Sequence, residues 1–149
     1  MNMNKPTFVY VTYVAATPEQ VWEGLTSPEF TRQYWKRAES DWQPGSPVTH
    51  WNEDDTVNLQ GEVLESDPPH RLVFTFGAAS DDGGLEEAPS RVTFTIDTLG
   101  GVTRLTVTHD EFPPKSKVYE QIQMGWPAIL SNLKSLLETG QPLAFGRWE

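Results

Sequence analysis

The chain has 149 residues, 37% of them hydrophobic, with a net charge of −10 and no cysteine. That charge excludes phosphate backbones and anionic membranes as partners, which need a basic footprint, and the missing thiols exclude disulfides and thiolate metal sites. No apolar run reaches membrane-spanning length and the start lacks a basic-then-apolar leader pattern, so one cytoplasmic domain over residues 1–149 is expected, with no membrane insertion.

Thr7 to Ala15, "TFVYVTYVA", is rich in β-branched and aromatic residues and reads as a strand. It ends at "ATPEQVWEGL", where Thr17 caps a helix, Pro18 suits the first helical position and Gln20 completes a capping box. Ser27 and Pro28 repeat the start signal, so a second short helix runs toward Tyr34 and Trp35. From Trp42 to Asp110 the chain reads as successive strands. Thr56–Glu65 and Arg71–Gly77 are two of them, joined through "SDPPH". Residues 78–90 carry four acids and no periodicity, and read as a mobile, solvated loop.

"RVTFTIDTLGGVTRLTVTHD" is a hairpin around Gly100 and Gly101. With those glycines as the turn, Arg91 faces Asp110, Thr93 faces Thr108, Thr95 faces Thr106 and Asp97 faces Arg104, which makes a solvent face. Val92 then faces His109, Phe94 faces Val107 and Ile96 faces Leu105. A one-residue slip would set apolar side chains against polar ones, so the register is well specified and places His109 on the buried face.

Lys115 to Thr139 reads as a long helix. Val118, Ile122, Trp126, Ile129, Leu130, Leu133, Leu136 and Leu137 recur at spacings of three and four, and Gly140 stops it ahead of a tail over about 140–149. "MGWP" is an odd centre for a helix, since proline removes a hydrogen bond and crowds the preceding turn. A kink before Trp126 is expected, with Trp126 still on the apolar stripe. One long amphipathic helix must bury its stripe against a sheet, so the expected fold is α+β: a curved antiparallel sheet wrapped around the C-terminal helix, with two short helices after the first strand.

"AATPEQVWEGLTSPE", "GEVLESDPPHRLVFTF", "TRLTVTHDEF" and "GWPAILSNLKSLLE" occur in this order along nearly the whole chain. Together they resemble the START-like helix-grip superfamily (SRPBCC), in the branch of the activator of heat-shock protein 90 ATPase homologue. The resemblance implies a helix-grip fold with a ligand cavity between the sheet and the C-terminal helix. The superfamily includes lipid carriers, hormone receptors and polyketide cyclases, so the resemblance does not fix the chemistry. The co-chaperone of the branch carries an additional N-terminal domain, for which this chain has no room.

The candidate cavity residues are Trp35, Trp51, Phe74, Phe94 and Trp126, with Ile122 and Leu130 flanking Trp126 on the stripe. Each could equally fill an ordinary core. "VTHW" leaves open whether His50 or Trp51 points inward. His109 is either a polar anchor for a ligand (an acid–base group, in an enzyme) or a histidine hydrogen-bonded at a strand end. Asp54, Asp55, Asp81, Asp82, Glu86 and Glu87 fall in turns or the loop, and the three histidines have no metal-ligand spacing. No nucleophile elbow, phosphate loop or dinucleotide fingerprint is present, so neither a catalytic residue nor a cofactor is assigned.

Three readings follow. The first is non-enzymatic binding or sensing of a small hydrophobic molecule such as a lipid. The second is a protein-interaction module related to chaperone activators, acting on a protein partner or as a homodimer. The third is a cyclase or dehydratase-like enzyme using His109 with Tyr34 or Tyr119.

Overall fold

The computed structural model describes residues 5–144. The expected tail lies within it only as far as 144; residues 145–149 fall outside the described part. The elements are β1 (Phe8–Val14), α1 (Pro18–Thr26), α2 (Pro28–Tyr34), β2 (Arg37–Glu39), β3 (Pro47–Trp51), β4 (Val57–Asp67), β5 (Arg71–Ala78), β6 (Ser90–Leu99), β7 (Val102–Asp110) and α3 (Lys117–Thr139). All seven strands form one sheet in the order β1-β7-β6-β5-β4-β3-β2, with every pairing antiparallel. The chain folds as the helix-grip architecture its pattern implies.

Local chemistry explains the boundaries. Thr17 Oγ1 accepts from the Gln20 backbone N–H at 3.1 Å while Gln20 Oε1 accepts from Thr17 N–H at 2.9 Å, so α1 starts in a reciprocal capping box. Gly140 ends α3 at φ 83°, a conformation that suits glycine. The β6–β7 register is the expected one at every position, from Arg91 against Asp110 to Leu99 against Val102.

β4 and β5 approach closely at Gly61. A Cβ on Gly61 would lie 1.8 Å from the Thr75 carbonyl oxygen, so only glycine permits this approach. Next to it Glu62 N–H donates to Thr75 Oγ1 at 2.8 Å, a side chain standing in for a ladder partner. A register shift between Val63 and Glu65 adds a bulge, which increases local twist. Curvature of this kind lets the sheet wrap a helix.

β1 is an edge strand. Its exposed side chains are Val9, Val11 and Tyr13. α3 covers the end of this edge: Lys134 Nζ donates to the Tyr13 carbonyl at 2.6 Å and Glu138 Oε2 accepts from Ala15 N–H at 2.7 Å. Satisfying edge groups in this way removes them as a template for another strand.

α3 runs unbroken through Pro127 and buries Val118, Ile122, Trp126, Leu130, Leu133 and Leu136 against the concave face. Among the described residues no helix is long and apolar enough to cross a membrane.

The segment expected as a loop carries internal and tertiary contacts. Ala79 bridges Leu85, and Glu86 N–H donates to the Ala78 carbonyl. Glu87 is not a solvated acid: its carboxylate accepts from Ser116 Oγ and from Lys117 N–H at 3.0 Å. It thus caps α3 from outside, at the end where the helix dipole favours negative charge.

Candidate functional site

The register builds one row of inward side chains across the sheet. Val63 pairs with Phe74, Phe74 with Val92, Val92 with His109, and His109 with Phe8. Trp126 descends onto this row from the middle of α3. Its ring lies 5.7 Å from Phe94, 6.0 Å from Phe76 and 6.1 Å from His109. Trp35, just past α2, reaches the same place with its ring 5.4 Å from Trp126. Tilted and edge-to-face arrangements dominate, as ring quadrupoles prefer.

Phe74, Phe94, Ile122, Trp126 and Leu130 are all buried beneath α3, and Trp35 packs half-buried against them. Trp51 does not join them. It lies on the other face, its indole N–H donating to Glu39 Oε1 at 3.1 Å and Arg37 stacked on its ring at 5.7 Å. The inward position of "VTHW" belongs to His50, 4.4 Å from the Trp35 ring and 6.2 Å from Phe74.

His109 is fully enclosed. Its Nδ1 accepts from Trp126 Nε1–H at 3.0 Å, so the ring proton sits on Nε2 and is given to Ser90 Oγ at 2.6 Å. Ser90 Oγ in turn faces the Phe76 carbonyl at 3.4 Å. Ser90 and His109 are therefore close but wired the wrong way for nucleophilic catalysis. A general base must offer its Nε2 lone pair to the hydroxyl, with Nδ1–H held by an acceptor; here Nδ1 meets a donor. A ligand reaching His109 must displace Trp126 or Ser90.

Burial pushes the basicity of both inward histidines down, each to about 3; Asp110 works weakly in the other direction on His109. That carboxylate is already held by Arg91, with bonds of 2.9 and 2.8 Å. Tyr34 is buried, its hydroxyl donating to the Gly24 carbonyl at 2.6 Å, and burial pushes its pKa up. Tyr119 packs edge-on to Phe112 at 5.0 Å, which itself stacks on His109 at 4.5 Å.

Reading the residues alone misses Ser90, His50 and Asn132. Ser90 shares the parity of Val92 and Phe94, so extending the hairpin register two residues would have placed it diagonal to His109. His50 shares the parity of Val48, but "VTHW" carries no second signal to decide the face. Asn132 sits on the helix stripe, and its Nδ2–H donates to the Tyr34 carbonyl at 3.0 Å, a tertiary contact with no local signature.

A groove of about 330 Å³ lies elsewhere, on the outer face, between Pro47, Thr49, Gln60, Gly61, Glu62, Thr75, Leu85 and Pro89. None of the residues singled out in the sequence lines it.

A curved antiparallel sheet closed on a long C-terminal helix, with two short helices after the first strand and an aromatic interior beneath that helix, defines a START-like helix-grip protein. The pattern of the Activator of Hsp90 ATPase homolog 1-like protein family matches residues 15–138, and the chain belongs to that family. Among solved structures it is similar to protein MLL2253 from Mesorhizobium loti, at 27% identity and a TM-score of 0.77, over 89% of this chain and 96% of that one. Likeness in fold extends to the HSP90 activator PFC0360w from Plasmodium falciparum, at 23% identity and a TM-score of 0.71, over 88% and 95% of the two chains. It extends also to CalU16 from Micromonospora echinospora, at 18% identity and a TM-score of 0.75, over 94% and 78%. No curated protein matches the chain.

Proposed function

We propose that this protein binds a small hydrophobic molecule between the concave sheet face and α3, as a carrier or sensor rather than a catalyst. The observation that supports this most is the convergence of Trp35, Phe74, Phe94 and Trp126 on one spot, with only Trp35 half-exposed at its rim. Apolar and aromatic linings with few polar groups are what small-molecule sites use. The wiring of Ser90 to His109 favours binding over proton transfer, because the imidazole lone pair is already engaged by Trp126.

A thermal-shift screen with lipids, polyketides and polycyclic aromatics tests the reading. A true ligand at a hundredfold excess over its dissociation constant adds about 2.7 kcal/mol of stability, which raises the melting temperature by several degrees. No shift with any of these compounds, combined with capture of a heat-shock protein 90-type chaperone in a pull-down, would move the assignment to the protein-interaction role of its activator relatives.

A further inference from the structure

The groove on the outer face of the sheet stands apart from the aromatic interior. It holds about 330 Å³ and lies over β3, β4 and β5, walled on one side by the β5–β6 loop. Clefts that take small molecules begin at about 300 Å³, and they combine apolar walls with a few placed polar groups. Strand parity sends Pro47 and Thr49 outward from β3 and Gln60 and Glu62 outward from β4, while Val48, Leu59 and Val63 are buried on the other face. The register sets Pro47 opposite Glu62 and Thr49 opposite Gln60, so a carboxylate, an amide and a hydroxyl share one floor.

Specific contacts build the walls. A Cβ at Gly77 would come within 2.8 Å of both Leu85 Cδ1 and the Gln60 carbonyl oxygen, so the missing side chain is what lets Leu85 lie against the strands. Ala79 bridges Leu85, and Glu86 N–H donates to the Ala78 carbonyl, which joins that wall to the end of β5. On the floor, Glu62 N–H donates to Thr75 Oγ1 at 2.8 Å and thereby positions the backbone that carries the carboxylate. Groups placed in this way need less ordering when a ligand binds.

The lining also decides the sign of the ligand. Among the described residues of the groove, Glu62 is the one charged side chain, and the chain as a whole carries −10. Such a field repels an anion and draws in a cation. Gln60 and Thr49 add acceptor oxygens beside the carboxylate. Leu85, Pro47 and Pro89 present hydrocarbon, which suits an aliphatic stem. A guanidinium fits this floor better than an ammonium, because it is planar, weakly hydrated and forks onto a carboxylate.

We infer that the outer groove binds a small alkylguanidinium, its head on Glu62 and its stem along Leu85 and the two prolines. This site is independent of the interior-site reading, and either can fail without the other.

The probes are n-butylguanidinium, methylguanidinium and n-butanol, titrated into ¹⁵N-labelled protein and followed by NMR. n-Butylguanidinium should shift the amides of Thr49, Gln60, Glu62, Thr75 and Leu85 as one cluster. Methylguanidinium, which lacks most of the stem, should bind about tenfold more weakly, as should n-butanol, which lacks the charge. Glu62→Gln should weaken n-butylguanidinium about tenfold, the usual size for a lost charge-assisted bond. Glu53→Gln removes an exposed acid outside the groove and should leave the affinity unchanged. Shifts scattered over the acidic surface, or centred on the indole N–H groups of Trp35 and Trp126, would overturn the groove as the site. Undiminished affinity in Glu62→Gln would overturn the role of its carboxylate, and no shifts with n-butylguanidinium would overturn the proposal outright. The wild-type shift map decides between these outcomes even if a variant does not fold.

Discussion

Trp126 holds two jobs at once. Its rings fill the space between α3 and the sheet, and its indole N–H fixes the tautomer of His109. Trp126→Phe keeps much of the packing and removes the donor, leaving Nδ1 unpaired inside the core. An enclosed acceptor without a partner costs about 1–3 kcal/mol, so urea denaturation of the variant should show a loss of that size. The basicity of His109 should rise as well, because protonating Nδ1 no longer sets two donors face to face. An NMR titration of His109 reads this directly; an unchanged midpoint would mean that the indole bond does not set the protonation state. The residue scale is also where sequence reading is weakest. That Trp126 and His109 face inward follows from period and register, but that they bond to each other depends on two elements meeting. Trp51 and His50 differ only by parity across a register shift between them, which local pattern does not foresee.

At the scale of elements, the close approach of β4 to β5 at Gly61 and the Glu87 cap on α3 each tie together segments distant in sequence. Gly61→Ala places a methyl against a backbone carbonyl, which cannot move aside as a flexible side chain can. Strain of about 1–3 kcal/mol is expected, read as a lower denaturation midpoint, with the largest change in hydrogen exchange along β4 and β5. Glu87 joins the β5–β6 loop to the first turn of α3. Glu87→Ala removes both bonds and should cost about 1 kcal/mol, the usual worth of a cap, while speeding exchange in residues 79–89 and the start of α3 together. Exchange that rises in the loop alone would show that the carboxylate does not couple them. The capping box of α1, the hairpin register and the amphipathic stripe of α3 were all legible, because neighbours in sequence determine each. Glu87 was not: its partners lie some thirty residues away, so it read as one more acid in a polar loop.

The whole molecule responds to acid through its two inward histidines. A free imidazole titrates near pH 6.5, whereas burial pushes His50 and His109 down to about 3. Between those values the unfolded chain binds protons that the folded chain refuses. Stability is therefore full above about pH 6.5 and falls with acidification toward pH 3. Each pH unit in that window removes up to about 1.4 kcal/mol per histidine. Urea unfolding at pH 7 and pH 5.5 should differ by about 2–3 kcal/mol, above the range in which most carboxylates titrate. His50→Gln together with His109→Gln should flatten the slope, and a slope that persists in the double variant would place the acid sensitivity in the carboxylates.

Period, capping and hairpin symmetry determined the element order, the β6–β7 register and the helix-grip class, because each depends on contacts within or between adjacent segments. The quoted motifs pointed to the family by the same local means. Only the tertiary structure decided that Trp51 faces outward and His50 inward, that His109 is already bonded on both nitrogens, and that Glu87 caps α3. Those facts depend on how a bent sheet brings distant strands, a loop and a helix to one place, and no stretch of sequence carries that information by itself.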